Sequence, residues 1–246
     1  MSGDKRMSPV PSRAMVLAAG LGMRMRPLTE RTPKPLIEVA GKALIDWGLD
    51  SLERAGVAEA VVNIHHLPDQ MRAHLAKRKA PRVVISDETD RLLESGGGIV
   101  RMLPLLGPEP FFVLNADSFW VEDGAPNLSG LALAWDDARM DILLMLAEMD
   151  KATGHSGGTD FLLGADGRLA RARRDPAGLI YASAAIVHPR IFAGAAAEPH
   201  SLNRYFDSTA AEGRLFGWRM RGRWITVGTP EAITEAEAAI AAASVS

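Results

Sequence analysis

Short apolar segments alternate with helix-like segments through the first half of this chain, and that alternation limits the fold more than any other feature. Three segments have apolar residues at helical spacing, at 46–55, 69–77 and 98–106. They separate four apolar runs that have the length of buried strands, at 14–19, 61–64, 82–86 and 111–114. Because a helical crossover returns the chain to the same end of a sheet, successive strands run parallel. We therefore expect an α/β fold whose mostly parallel sheet carries helices on both faces.

The second half of the chain is less regular. Helices are expected at 201–212 and 230–243, and strands at 141–147, 161–163, 169–171, 180–187, 215–220 and 223–227. The sequence contains no fixed-period repeat and no low-complexity linker. We expect a single domain over residues 13–246 with an elaborated second half, preceded by a frayed polar tail at 1–12.

Composition excludes several classes of function. The chain has 246 residues and no cysteine, which rules out disulfides, thiolate nucleophiles and cysteine-bound metals. Lys plus Arg is 28 and Asp plus Glu is 30, so the formal net charge is −2 and no nucleic-acid partner is expected. No apolar run approaches the roughly 20 residues that span a bilayer. With no secretory signal in the first residues, a cytoplasmic protein without a membrane partner is the default expectation.

The loop after the first apolar run predicts an anion-binding site. Gly20 and Gly22 allow backbone N–H groups to approach a ligand closely. Three cationic side chains follow: Arg24, Arg26 and Lys34. Backbone donors combined with arginine and lysine suit a triphosphate. Prolines on both sides of Lys34 stiffen its backbone, which favours this interpretation over a solvated basic turn.

Asp117 is a candidate metal ligand. It follows the apolar run 111–114 and therefore lies at the carboxyl edge of the predicted sheet, where open α/β sheets bind ligands. A carboxylate there suits Mg²⁺ that is bound to substrate phosphates. The alternative interpretation is an aspartate that caps the turn after a strand.

The triple glycine 96–98 is a second candidate nucleotide element. Its backbone permits a base to lie flat against it, and its amides can donate to base carbonyls. A flexible loop is the alternative. Glu94 and Ser95 would border the base, and Glu88 is a weaker candidate for reading its edge.

These segments resemble the sugar-1-phosphate nucleotidyltransferases. The resemblance rests on residues 17–24, 27–35, 94–98, 114–117 and 224–230, which occur in that family's order and cover most of the chain. Within the family the chain most resembles the short bacterial N-acetylmuramate-1-phosphate uridylyltransferases of cell-wall recycling. The implied fold is Rossmann-like and of the GT-A type, with a mixed, mostly parallel sheet.

The resemblance also implies a reaction and a set of site residues. A sugar 1-phosphate oxygen attacks the α-phosphorus of a nucleoside triphosphate, with Mg²⁺ as cofactor, and pyrophosphate leaves. Arg24 would hold the β- and γ-phosphates, Lys34 would neutralise the α-phosphate, and Asp117 would bind the metal. The expected nucleotide-binding residues are Leu17, Ala18, Ala19, Gly20, Gly22, Met23, Arg24, Lys34, Glu94, Ser95, Gly96 and Gly97. The expected sugar-side residues are Asn115, Asp160, Tyr181, Ser183 and Thr226.

Three positions depart from the family pattern. Thr226 stands where the family usually has an aspartate that serves as a second Mg²⁺ ligand. Ser183 and Thr159 each stand where a glycine is expected in the sugar half. The triphosphate half of the sequence therefore matches the family better than the metal and sugar half.

The leading hypothesis is a uridylyltransferase that acts on UTP and N-acetylmuramate 1-phosphate as a monomer or small homo-oligomer. A transferase for mannose or heptose 1-phosphate, with another nucleotide, is an alternative of the same class. Thr226 motivates an alternative of a different class, a nucleotide-sugar sensor with weak catalysis.

Overall fold

A computed structural model describes residues 10–243, which form fourteen strands and six α-helices. The helices are α1 (Leu44–Arg54), α2 (Pro68–Leu75), α3 (Glu94–Leu106), α4 (Asn127–Ala134), α5 (Asn203–Ala211) and α6 (Glu231–Ala243). The strands of the first half are β1 (Arg13–Leu17), β2 (Glu38–Val39), β3 (Lys42–Ala43), β4 (Glu59–Ile64), β5 (Arg82–Asp87), β6 (Phe111–Asn115) and β7 (Ser118–Val121). Those of the second half are β8 (Ile142–Ala147), β9 (Ala152–Thr153), β10 (Phe161–Leu163), β11 (Leu169–Arg171), β12 (Ile180–Val187), β13 (Leu215–Arg219) and β14 (Arg223–Thr226).

The main sheet has seven strands in the order β13-β8-β12-β6-β1-β4-β5. The pairs β1/β4, β1/β6, β4/β5 and β8/β13 are parallel. β12 is antiparallel to both of its neighbours, β6 and β8. The sheet is therefore mixed but mostly parallel, which confirms the fold class expected from the sequence.

Alternate residues of the central strands feed two hydrophobic cores, one on each face of the sheet. On one face Ala14 and Val16 of β1 belong to the core that includes α1, α2 and α4. On the other face Met15 belongs to the core that includes α3 and α5. This period-two division is the burial pattern expected for a sheet that helices cover on both sides.

A third, smaller core supports the basic loop that follows β1. It joins Met25 of that loop to residues of the small sheet β7-β14-β9, of α6 and of the segment leading to α1. Met25 is fully buried there, while its neighbours Arg24 and Arg26 are exposed. The apolar residue thus anchors the loop and leaves the cationic side chains on the surface.

Most sequence-based assignments are confirmed with boundaries within a few residues. Strands β7 and β9, the hairpin β2–β3 and helix α4 were not predicted, because they are short or lack a clear periodic pattern. The start of α3 was expected at residue 98, whereas the helix begins at Glu94, so the triple glycine lies inside its first turns. The proposed tail lies largely outside the described residues, and the single-domain assignment stays a prediction. No described helix combines the length and apolarity that a membrane span requires.

Asp141 is a buried carboxylate that joins the ends of β8, β12 and β13 through ion pairs with two partly exposed arginines. Its carboxylate accepts from Arg190 Nε at 2.5 Å and lies 2.9 Å from Arg214 Nε. Its backbone N–H donates to Arg214 O, and its carbonyl accepts from His188 N. Burial opposes ionisation, but the hydrogen bonds from Arg214 and Arg190 outweigh it and hold the pKa of Asp141 below its ordinary value.

We predict that Asp141→Asn lowers the free energy of unfolding at pH 7 by about 2 kcal/mol, because two partly exposed arginines lose their charge-assisted hydrogen bonds to the carboxylate. A depressed native pKa gives stability that is present above the unfolded value and is lost as the pH falls through the native value. The difference between the variant and the wild type should therefore shrink below the ordinary carboxyl pKa of 3.8. Urea titrations of the variant and the wild type at several pH values measure this difference in the free energy of unfolding. Asp123→Asn, at an exposed position, is the control, and an equal loss in both variants would contradict the assignment.

Candidate active site

A cavity of about 340 Å³ opens at the carboxyl ends of the central parallel strands. One wall is the loop that leaves β1, one is the segment after β6, and the third is the start of α3. The lining residues are Leu17, Ala18, Ala19, Gly20, Lys34, Pro35, Asn63, Leu92, Glu94, Ser95, Asn115, Ala116 and Asp117. This position at the strand ends is where open α/β sheets bind ligands.

The loop after β1 has a compact conformation that requires glycine at one position. Gly22 has φ of 62°, in the left-handed region, and a Cβ there would lie 2.8 Å from Thr29 Cγ2. Thr29 is buried and its hydroxyl donates to Gly22 O at 2.9 Å. The loop therefore folds back on itself, which presents Met23 and Arg24 to solvent and leaves Gly22 off the cavity wall.

Lys34 and Asp117 meet across the mouth of the cavity. Lys34 Nζ lies 2.5 Å from Asp117 Oδ2, and their side chains are 11% and 36% exposed. Lys34 begins a single 3-10 turn with Pro35 inside it, so its backbone is held by geometry rather than by a long helix. The two residues predicted to act on the phosphates and the metal are thus in direct contact, although 83 positions separate them.

Thr226 reaches the same point from the small sheet. Strand β14 pairs with β7 so that Thr226 is opposite Ser118, and Ser118 Oγ lies 3.1 Å from Thr226 Oγ1 and 3.3 Å from Asp117 Oδ1. Val227 N also donates to Asp117 O at 3.0 Å. The hydroxyls of Thr226 and Ser118 therefore form a short chain that ends on the Asp117 carboxylate.

Arg24 lies beside this cluster but outside the cavity wall. A Cβ added at Gly228 would be 3.5 Å from Arg24 Nη2, which places the guanidinium against the backbone that follows Thr226. The side chain is exposed, and it forms no ion pair with a carboxylate of residues 10–243. The exposed guanidinium therefore lies next to the turn that follows β14, the strand that carries Thr226, and its fork of donors is of the kind that binds phosphates.

The triple glycine packs tightly against a distant part of the chain. Gly96 N and Gly97 N donate to His200 O at 2.8 and 3.3 Å, and a Cβ at Gly97 would lie 2.1 Å from Glu198 O. These two glycines are buried and do not line the cavity. Glu94 and Ser95 do line it, and Glu94 starts the helix with φ of 58°. The two glycines therefore allow the 198–200 segment to pack directly against α3. This packing holds the start of the helix, where Glu94 and Ser95 border the cavity.

The sugar-side residues fall into two groups. Asn115 lines the cavity, and Thr226 contacts the Asp117 cluster through Ser118. Asp160 and Tyr181 lie together, since Tyr181 N donates to Asp160 Oδ2 at 2.9 Å, and neither residue lines the cavity. Burial and the nearby Asp160 carboxylate raise the pKa of Tyr181 well above its ordinary value. The Tyr181 hydroxyl is buried without a hydrogen-bond partner in the described chain.

Ser183 has a backbone conformation that explains the glycine expected at its position. Its φ is 59°, and it lies where the register between β12 and β8 shifts between Tyr181 and Ala185. A bulge with left-handed backbone favours glycine, so a serine here carries conformational strain. The other departure, Thr159, donates from its hydroxyl to Asp175 O at 2.7 Å and thereby fixes the loop before Asp160.

Asn63 was missed by the sequence analysis although it lines the cavity. It is buried, its Oδ1 accepts from Ala18 N at 2.7 Å, and its Nδ2 donates to Glu88 Oε1 at 2.9 Å. The available signal was an amide that follows the apolar residues 60–62 of β4, because buried polar side chains are kept where they are hydrogen-bonded.

The site offers oxygen donors that suit a divalent cation, but few of them. Asp117 supplies one carboxylate, and Ser118 and Thr226 supply hydroxyls next to it. Within residues 10–243 no cluster of three or more His, Cys, Asp or Glu side chains is arranged to hold a metal alone. The donor set therefore fits an ion that keeps most of its coordination sphere for waters and phosphate oxygens.

Comparison with known proteins decides the family. Residues 14–147 match the MobA-like NTP transferase domain. The chain is 48% identical over 242 residues to N-acetylmuramate alpha-1-phosphate uridylyltransferase of Caulobacter vibrioides, covering 96% of this chain and 100% of that protein. The chain belongs to the sugar-1-phosphate nucleotidyltransferase family. This confirms the resemblance that its sequence motifs indicated.

Two further comparisons agree with that membership. The enzyme of the same name from Neisseria meningitidis serogroup B is 35% identical over 229 residues, with 92% of this chain and 97% of that protein covered. The inositol-1-phosphate CTP transferase from T. maritima superposes with a TM-score of 0.74 at 17% identity, covering 93% and 97% of the two chains. The second likeness concerns the fold alone. Nucleotidyltransferases of this kind generally use a divalent metal.

We predict that Lys34→Ala lowers turnover at least ~100-fold, because it removes the partly buried cation that lines the cavity and is expected to meet the phosphates. The fold should persist, since Lys34 stands on a surface loop. Lys42→Ala is the matched control, because Lys42 also pairs with an aspartate, Asp50, at 2.7 Å but lies outside the cavity. Steady-state kinetics and thermal unfolding of both variants measure the difference. Equal activity in the two variants would contradict the assignment.

Proposed function

We propose that this chain transfers a uridylyl group from UTP to N-acetylmuramate α-1-phosphate, releasing pyrophosphate, in cell-wall recycling. The observation that best supports nucleotidyl transfer is the contact between Lys34 and Asp117, which both line the cavity at the strand ends. The choice of substrates is supported by the names of the two whole-length relatives, both of which are N-acetylmuramate alpha-1-phosphate uridylyltransferases.

The proposed reaction is an in-line displacement at phosphorus. A phosphate oxygen of the sugar 1-phosphate forms a bond to the α-phosphorus of UTP, and the bond from that phosphorus to the α,β-bridging oxygen breaks. The bridging oxygen leaves with the electron pair as part of pyrophosphate. Because the nucleophile is already an anion, the enzyme needs no general base, and its work is positioning and charge neutralisation.

Three groups of the chain carry that work. Lys34 neutralises the α-phosphate and the incoming sugar phosphate, which otherwise repel one another. Arg24 donates to the β- and γ-phosphates and stabilises the leaving pyrophosphate. The remaining proposed nucleotide contacts come from the β1 loop (Leu17, Ala18, Ala19, Gly20, Gly22, Met23) and from Glu94 and Ser95 at the start of α3. Gly96 and Gly97 are not among them, because their N–H groups donate to His200 O.

Asp117 would hold Mg²⁺, the proposed cofactor, with Thr226 and Ser118 close enough to contact a metal-bound water. The ion would neutralise phosphate charge in addition to Lys34 and Arg24. The sugar side of the proposal comprises Asn115, Asp160, Tyr181, Ser183 and Thr226. Action in the cytoplasm as a monomer or small homo-oligomer belongs to the same proposal.

The proposal predicts a substrate preference that one experiment can measure. Pyrophosphate release, followed across a matrix of nucleoside triphosphates and sugar 1-phosphates, should be fastest with UTP and N-acetylmuramate 1-phosphate. Arg24→Ala should lower that rate at least ~100-fold because it removes a charged donor from the leaving group. Faster turnover with GTP and mannose 1-phosphate would replace the proposed substrates. No turnover with any pair would favour a nucleotide-sugar sensor.

Because Asp117 is the one carboxylate proposed to bind the metal, we predict that Mg²⁺ binds together with the nucleotide rather than to the free protein. Calorimetric titration of Mg²⁺ should show negligible binding to the free protein and clear binding once UTP is present. Thr226→Asp should raise the Mg²⁺ affinity of the free protein, because it places a second carboxylate beside Asp117. Thr226→Asn, which adds no charge, is the control. Tight Mg²⁺ binding to the nucleotide-free wild type would contradict this account.

A further inference from the structure

Glu88 is a fully buried carboxylate that the proposed chemistry does not use. It follows β5 and is 0% exposed, so it cannot read the edge of a base from the cavity. Burying a carboxylate is costly unless hydrogen-bond donors meet both of its oxygens. Hydrogen-bond donors around Glu88 are therefore required to stabilise a carboxylate at this buried position.

A chain of hydrogen bonds converges on Glu88 from two sides, and the direction of each bond is fixed. Ala18 N donates to Asn63 Oδ1 at 2.7 Å, and Asn63 Nδ2 donates to Glu88 Oε1 at 2.9 Å. From the other side Leu93 N donates to Glu88 Oε2 at 3.1 Å. Both carboxylate oxygens thus accept, and the amide of Asn63 has only one orientation that satisfies both of its neighbours.

These hydrogen bonds connect two of the three cavity walls, the loop after β1 and the start of α3. At one end they hold Ala18, which lines the cavity in the loop after β1. At the other end they hold Leu93, the residue before Glu94 and Ser95, which line the opposite wall. Space for them depends on the third glycine of the run, because a Cβ at Gly98 would lie 2.8 Å from Glu88 Oε1 and 3.0 Å from Asn63 Nδ2.

We propose that Asn63 and Glu88 are positioning residues that set the separation and orientation of the two cavity walls for the nucleotide. The inference rests on the proposed function in taking a nucleoside triphosphate as the ligand of the cavity. Neither residue touches the reacting phosphates. Their effect is on nucleotide affinity, through the backbone of Ala18 and the start of α3.

Because the direction of each hydrogen bond is fixed, exchanging the amide and the carboxylate between positions 63 and 88 can separate a positioning role from an effect on overall stability. In Glu88→Gln the new amide faces a donor, either Asn63 Nδ2 or Leu93 N, and no flip of Asn63 resolves the conflict because Ala18 N needs an acceptor. In Asn63→Asp two carboxylate oxygens face one another. The double variant combines Asn63→Asp with Glu88→Gln. In it the new carboxylate at position 63 accepts from Ala18 N and from the new amide at position 88, whose oxygen accepts from Leu93 N. All three hydrogen bonds return, with the charge moved from one side chain of the pair to the other.

Steady-state kinetics and calorimetry on these three variants test the proposal. Glu88→Gln should raise the KM and Kd for the nucleotide about tenfold, because a buried donor loses its acceptor, while the KM for the sugar 1-phosphate changes less than about twofold. Asn63→Asp should behave similarly. The double variant should return to within about threefold of the wild type. Glu235→Gln, an exposed position on α6, is the matched control.

The amide of Ala18 gives a readout that does not depend on the substrate. Its hydrogen exchange, followed by NMR, should be faster in each single variant and slow again in the double variant. If the wild type turns over no nucleotide, the proposed function fails while this measurement still tests the hydrogen-bond chain. Single variants with lowered melting temperature but unchanged nucleotide affinity would overturn the positioning role. A double variant as impaired as the two single variants combined would overturn it as well, and this comparison needs only that the double variant fold.

Discussion

The contact between Lys34 and Asp117 joins the parts of the molecule on which the proposed chemistry depends. Lys34 comes from the loop that follows β1, and Asp117 comes from the end of β6, so the pair spans two neighbouring parallel strands. The buried Met25 and the small sheet β7-β14-β9 hold the two sides in place. The two charges neutralise one another, and an anionic ligand together with a divalent cation would offer each of them a new partner.

The charges around the cavity bear on the proposal that Asp117 is the single carboxylate ligand of the metal. Thr226 keeps a hydroxyl beside Asp117 where the family pattern has an acidic residue, so the site carries one negative charge fewer. Arg24 and Lys34 are the cations proposed to bind the phosphates. A site with this balance of charge should attract a triphosphate strongly and a free cation weakly, which would couple metal binding to nucleotide binding.

The sequence was sufficient to predict the elements that depend on local pattern. The strands of the parallel sheet and the loop with Arg24 and Lys34 follow from short-range apolar runs, glycines and prolines, and all are where they were expected. The contacts that depend on long-range pairing were not predictable in this way. Thr226 meets Ser118 only because β14 pairs with β7, and Gly97 is needed because the 198–200 segment crosses α3. The polar residue Asn63 was visible in an apolar strand, but its partners were not.

The most direct test of this account is the affinity of metal-free UTP for the free enzyme, measured calorimetrically in the presence of a chelator. If Asp117 competes with the phosphates for Lys34, Asp117→Asn should bind metal-free UTP more tightly than the wild type, since it frees the lysine and removes a repelling charge. Lys34→Ala should bind it more weakly. Unchanged or weaker binding by Asp117→Asn would contradict the claim that this ion pair is the place where phosphates enter the site.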